Sequence, residues 1–184
     1  MGKILIIGGG AMGSAFSIPC IDNNNLVTIT EPHNKILTKN LASKKKFHPT
    51  LKLKLPSKLK FTNYSKDIFK KRFDLIVVAL SLAGIDFIGK ELKGLKIKTP
   101  LLVLTKGLKY DKKKEKILTI SDLLKYNYKV ANVSVLKGPC IAKELANKNK
   151  TSVVVANKNI KIAKWIGKLI STKYYFTEFS KDII

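Results

Sequence analysis

The stretch that most constrains this chain is its opening, MGKILIIGGGAMGSAF. Four apolar residues, Ile4 to Ile7, run without interruption into three glycines, and a helix-forming segment follows. A strand that is apolar at every position is buried on both faces, as in a parallel sheet covered by helices. The glycines are spaced Gly8-x-Gly10-x-x-Gly13. Gly8 can take the positive φ of a tight strand-to-helix turn. Gly10, without a Cβ, lets a diphosphate approach the main chain, and Gly13 lets the helix pack closely on the sheet. The first helical amides have no acceptor within the helix and so face the anion.

The rest of the chain continues the alternation. KILIIG, LVTIT, DLIVVAL, PLLVLT, NVSVL and TSVVVA have the length and apolar content of strands. Helical spacing is read over 11–22, 83–92, 111–125 and 159–170, the last with Ile162, Ala163, Ile166, Leu169 and Ile170 on one face. This order predicts an α/β fold: a doubly wound, Rossmann-type, mostly parallel sheet with helices on both faces. No linker or repeat divides it, so residues 1–184 read as one dinucleotide-binding domain. Residues 44–66, with Pro49, Pro56 and many lysines, read as a loop excursion with room for one short edge strand.

Composition narrows the setting. No apolar run approaches the ~18–20 residues that span a bilayer, and the N-terminal run is shorter than the roughly 7–15 residues of a signal peptide core. Cys20 and Cys140 form no CxxC pair and read as reduced thiols of a cytoplasmic protein. The formal charge is +24, yet all but one of the 36 basic residues are Lys, the exception being Arg72. Lysines scattered among abundant Ile and Asn read as compositional drift in an A/T-rich genome. Base-reading sites favour Arg forks, so no specific nucleic-acid partner is implied, only weak, salt-sensitive binding of polyanions. The alternative is a basic polyanion-binding protein with a vestigial fold. The charge is incidental to the glycine turn, where amides meet the anion.

Further candidates follow from the rule that ligands of open α/β sheets sit beyond the carboxyl ends of the strands. Glu31 closes LVTITE, 18 residues after Gly13. A carboxylate there can accept from the adenosine ribose hydroxyls and repels a 2′-phosphate, which favours NAD over NADP. His33 and Lys35 lie close and soften that preference; a surface glutamate after an ordinary turn is the plain alternative. Ser81 to Gly84 form a loop of mostly small residues, open to the nicotinamide half of a cofactor or simply a strand–helix connection. Lys106, in LLVLTKGL, either holds a substrate phosphate, polarises a carbonyl, or is a solvated lysine past a strand end. In VSVLKGPCIAKELA, Gly138 ends a strand and Pro139 suits a first helical turn. The helix start from Cys140 to Ala142 offers free amides, and Glu144 complements its dipole. No histidine is near Cys140 in sequence, so it reads as a packing or ligand-lining thiol rather than a nucleophile. Two distant histidines and two distant cysteines make no metal site.

In this order, these pieces resemble the NAD(P)-dependent sn-glycerol-3-phosphate dehydrogenases of bacteria and eukaryotic cytosol. GGGAMG resembles the family's glycine loop, FHPTLKLKLPSKLKFT its HP…LP segment, and LTKGL its TKG loop. GPCIAKELA is similar to the family's GPSFAKEVA, and STKYYFTEFSKDII to its SxxYFRVYTxxDVIG. The glycine loop is also shared with β-hydroxyacid dehydrogenases and pyrroline-carboxylate reductases, but neither explains TKG together with GPCIAKE. The resemblance implies hydride transfer between a nicotinamide cofactor and the glycerone phosphate/glycerol 3-phosphate pair, in phospholipid synthesis. It implies cofactor contacts at Ala11, Met12, Glu31 and Ala142, contact of Lys106 with substrate and cofactor, and a substrate site lined by Gly138 and Cys140. Three positions depart from the family: Cys140 where Ser is usual, Ser81 where Pro is common, and Glu31 where NADP-using members carry a basic or neutral residue. The family continues into a helical domain that holds its general-acid lysine, beyond the position of Ile184. The C-terminal substrate domain is therefore expected to be absent, or to be a separate polypeptide, with an exposed apolar patch near the C-terminus. The chain alone is then a poor catalyst, or a nicotinamide-nucleotide-binding module without catalysis; a homodimer is left open.

Overall fold

In the computed structural model, residues 1–95, 98–112 and 114–183 are described. The opening run forms β1 (Lys3–Ile7), and the glycines lead into α1 (Ala11–Asp22). Then come β2 (Leu26–Thr30), α2 (Lys35–Ala42), and three two-residue strands, β3 (Phe47–His48), β4 (Leu53–Lys54) and β5 (Lys60–Phe61). A 3-10 turn (Lys66–Lys70) precedes β6 (Leu75–Val78), α3 (Gly84–Leu92) and β7 (Leu101–Val103). The second half contains β8 (Leu108–Asp111), β9 (Lys116–Thr119), α4 (Ile120–Asp122) with a π-helical turn (Leu123–Asn127), and β10 (Val133–Lys137). It closes with α5 (Ala142–Ala146), β11 (Thr151–Ala156), α6 (Ile160–Ile170) and β12 (Tyr175–Ser180).

Eight strands make one sheet in the order β12-β11-β10-β7-β6-β1-β2-β5. β5, β2, β1, β6, β7 and β10 are mutually parallel, β10 and β11 pair antiparallel, and β12 runs parallel to β11. The Rossmann-type, mostly parallel reading holds, and the apolar runs explain it. Strand side chains alternate between faces. In β1, Ile4 and Ile6 join the core under α1 and α6, while Leu5 and Ile7 join the core under α3. Leu75 and Val77 of β6 divide from Ile76 and Val78 in the same way. A polar residue at any of these positions would leave a buried group unsatisfied.

Three expectations differ. The helix read over 111–125 begins only at Ile120; part of that span, Lys113, lies outside the described residues. Before it stands a hairpin in which Leu108 faces Thr119 and Tyr110 faces Ile117. Leu108, Tyr110 and Ile117 are exposed on one face, whereas Lys109 and Leu118 turn inward, so the period here is two residues and not 3.6. The excursion over 44–66 contains the expected edge strand, β5, and also a β3–β4 hairpin. The C-terminal segment adds β12, and its exposed aromatics, Phe176 and Phe179, lie on opposite faces of that edge strand rather than in one patch. Among the described residues no helix is long and apolar enough to cross a membrane.

Candidate functional site

After β1 the chain enters β2 on one side and later β6 on the other, so the order of strands reverses between β1 and β6. A crevice at the carboxyl edge of such a reversal is where ligands of this architecture bind. The carboxyl ends of β1, β2, β6, β7 and β10 share that edge. They carry the glycine turn, Glu31, Ser81 to Gly84, Lys106, and Gly138 to Cys140 in turn.

Each glycine of the turn meets a different requirement. Gly8 has φ +110°, and a Cβ there would lie 2.5 Å from the Ala79 carbonyl oxygen. Gly13 sits so close to the strand end that a Cβ would approach the Gly8 carbonyl oxygen to 2.0 Å. Gly10 differs from both. Its φ of −60° and ψ of −179° suit any residue, and a Cβ there would meet nothing within 4 Å. Nothing among the described residues requires glycine at this position, whereas a ligand lying against the main chain would. Among the described residues nothing accepts from the Gly10 N–H. Ala11, Met12 and Gly13, at the first three positions of a twelve-residue helix, also lack helical acceptors.

Glu31 turns back onto this loop. Its Oε2 accepts from the Gly9 amide at 2.7 Å, and its Oε1 accepts from the amides of His33 and Asn34 at 2.9 and 3.1 Å. A carboxylate has about four acceptor positions, so one on Oε2 remains unused by these donors. The Gly9 carbonyl accepts from Ser14 Oγ at 2.8 Å and lies 3.0 Å from Nε2 of the buried His48. The His33 ring packs edge-on against Phe87, with centroids 4.7 Å apart, next to Tyr64.

Across the crevice the other candidates meet. Lys106 Nζ donates to the Gly138 carbonyl at 2.9 Å, joining the loop after β7 to the loop after β10. Thr105 Oγ1 donates to the Leu80 carbonyl at 2.7 Å and ties the same loop to the Ser81 segment. Gly107 and Gly138, with φ of +127° and +129°, make these turns possible. Lys106 is exposed and uses one of its three donors on Gly138, leaving two for an anion. Cys140 is buried behind Gly138. Burial pushes its thiol up; the neighbouring Tyr175 hydroxyl and the Lys106 charge oppose that without overcoming it. Such a thiol stays protonated and does not act as a nucleophile. Ala142 opens α5 beside it, half-buried.

The two groups, Gly8–Gly13 with Glu31 and Lys106 with Gly138 and Cys140, thus lie on the same carboxyl edge of the sheet. The residues read from sequence do not include His48, Ser14 or Thr105, which fix the loops from behind. His48 was legible as the histidine of the HP…LP segment, but nothing in that pattern says that its ring meets a carbonyl 39 residues earlier.

Known proteins resemble this chain in sequence and in fold. A glycerol-3-phosphate dehydrogenase [NAD(P)+] of Rickettsia typhi is 34% identical over 185 residues, covering 99% of this chain and 56% of the relative. An NADP(+)-dependent glycerol-3-phosphate dehydrogenase of Archaeoglobus fulgidus is 30% identical, with coverage of 98% and 54%. The chain thus spans about half the length of the curated relatives it matches. A crystal structure of glycerol-3-phosphate dehydrogenase from Coxiella burnetii superposes with a TM-score of 0.82 at 19% identity, over 99% of this chain and 55% of that one, and shows the same fold. The pattern described as the N-terminus of NAD-dependent glycerol-3-phosphate dehydrogenase matches residues 3–163, and with the glycine turn, the Lys106 loop and the Gly138 loop all on one sheet edge, the chain belongs to that family.

Proposed function

We propose that residues 1–184 form the dinucleotide-binding portion of a cytoplasmic glycerol-3-phosphate dehydrogenase and that this portion prefers NAD(H) to NADP(H). The observation that carries the reading is Gly10: ordinary backbone angles, open space over its Cα, a free N–H, and Glu31 beside it. Gly8 and Gly13 shape the turn, and the amides of Gly10, Ala11 and Met12 hold the diphosphate. The open acceptor of Glu31 takes a ribose hydroxyl, where a 2′-phosphate would meet its negative charge. Bound NAD(H) supplies the hydride chemistry. Toward substrate, the free donors of Lys106 hold the phosphate or carbonyl oxygen of glycerone phosphate, Gly138 and Cys140 line the place where it sits, and Ala142 lies against the cofactor. Protonation of the substrate oxygen is assigned to the portion of the relatives that this chain does not span. A positioned acid is worth roughly 10²–10⁴ in rate, so turnover by this chain alone is low; a helical second half, in the same or a separate polypeptide, completes the enzyme, which is compatible with assembly as a homodimer.

Fluorescence titration with NADH and NADPH tests the cofactor assignment. NADH binds more tightly, and Glu31→Ala erases the difference; equal affinity in the unsubstituted chain removes Glu31 from that role. For Lys106, the chain is joined in trans to the complementary half of a relative and glycerone phosphate reduction is assayed. Lys106→Ala lowers turnover at least tenfold, and unchanged turnover takes Lys106 out of the site.

A further inference from the structure

We infer that His48 is a positioning residue: from the β3–β4 hairpin its ring pins the Gly9–Gly10 peptide so that the Gly10 N–H points into the crevice. The inference rests on the dinucleotide reading of the glycine turn.

Leu51 N–H donates to His48 Nδ1 at 3.2 Å, so Nδ1 carries no proton. The neutral ring then bears its hydrogen on Nε2, which donates to the Gly9 carbonyl at 3.0 Å. His48 is 1% exposed. Burial pushes its pKa down and outweighs the contrary effect of the Gly9 carbonyl, which keeps the ring in this neutral form. Ser14 Oγ donates to the same carbonyl from inside α1 at 2.8 Å. Two donors, from two elements, therefore fill both lone pairs of one oxygen on its protein side.

A trans peptide is planar, with C=O and N–H antiparallel, and cis bonds are absent among the described residues. Fixing the Gly9 carbonyl inward thus directs the Gly10 N–H the opposite way, toward the open space above Gly10. The preceding peptide is held by a different group, since the Gly9 N–H donates to Glu31 Oε2 at 2.7 Å. Without such restraints a run of three glycines would populate many backbone states, and a ligand would have to order them on binding. The hairpin at residues 47–54 thereby acquires a purpose: it reaches under α2 and supports the phosphate loop.

The test compares His48→Leu, which keeps apolar volume but removes the donor, with His48→Gln, whose amide can donate from nearly the place of Nε2. Both are titrated with NADH, beside thermal unfolding. If the donor matters, His48→Leu binds NADH roughly fivefold to tenfold more weakly, the scale of one hydrogen bond, and His48→Gln stays within about twofold of the parent. If the ring only fills space, Leu fits as well as Gln or better, and that order overturns the inference. Should His48→Leu not fold, Ser14→Ala removes the other donor to the same carbonyl and likewise weakens NADH binding severalfold; unchanged affinity overturns the inference. Failure of the unsubstituted chain to bind NADH would instead sink the dinucleotide reading itself, which separates the two.

Discussion

At the scale of single residues, the glycine turn separates what the fold needs from what a ligand needs. Gly13→Ala places a methyl 2.0 Å from the Gly8 carbonyl oxygen, and relief requires the helix to move off the sheet. A loss of about 2–3 kcal/mol in denaturant unfolding is expected. Gly10→Ala meets open space instead. Its stability stays within about 1 kcal/mol of the parent, while NADH affinity falls tenfold or more because the methyl occupies the ligand's place. A Gly10→Ala chain that binds NADH normally would show that the diphosphate lies elsewhere. The spacing already assigns Gly10 to a ligand and Gly8 and Gly13 to turn and packing; the structure adds the close contacts that forbid a Cβ at Gly8 and Gly13 and the open space at Gly10. His48 adds a pH dependence. Its folded pKa lies below the ordinary 6.5, so the unfolded chain binds the proton more readily. The contribution to stability is complete above about pH 6.5 and is lost as the pH falls toward the folded value. His48→Gln removes that step from a plot of unfolding free energy against pH.

At the scale of elements, the apolar strands were legible because burial on both faces leaves continuous runs, and the helix at 11–22 because a strand and three glycines precede it. The hairpin over 108–119 was not. Its exposed face carries Leu108, Tyr110 and Ile117, and a strand that shows apolar side chains to solvent mimics the spacing of a half-buried helix. What settles its form is tertiary. Lys109 Nζ donates to Asp86 of α3, and Tyr128 OH donates to the other oxygen of Asp86 at 3.0 Å. Burial works to raise the Asp86 pKa, but the bonds from Lys109 and Tyr128 prevail and hold the carboxyl below its ordinary 3.8. These contacts fasten the hairpin that follows Lys106. Asp86→Asn loses the charge but keeps a side chain of the same shape. Global stability changes by about 1 kcal/mol or less, because the pair is partly solvated. Amide hydrogen exchange over 108–111 and 116–119 becomes faster than in the parent. Unchanged exchange would show that the sheet edge holds the hairpin without Asp86. α2 and β12 were missed for a simpler reason. α2 is only eight residues long and packs against β3, and β12 is an edge strand held by β11 and α6.

For the whole molecule the question is what the +24 charge does. Lys70–Asp67, Lys109–Asp86 and Lys148–Asp22 form side-chain ion pairs, and most lysines face solvent. Like charges at this density repel one another in the folded state and are screened over about 10 Å at 0.1 M salt. Raising salt from about 0.05 to 0.5 M therefore increases the melting temperature, since screening relieves the compact state more than the expanded one. The same titration distinguishes the ligands. A polyanion held by scattered lysines releases counterions in proportion to the phosphates it neutralises, so its affinity falls by orders of magnitude over this range. On the proposed reading NADH is held by main-chain amides and the Glu31 carboxylate, with Lys106 as the cation beside it, so its affinity should fall by about tenfold at most. Heparin serves as the polyanion, and both affinities are read on one preparation. A parallel collapse of NADH and heparin binding would mean that the lysines, and not the turn after β1, recruit the nucleotide.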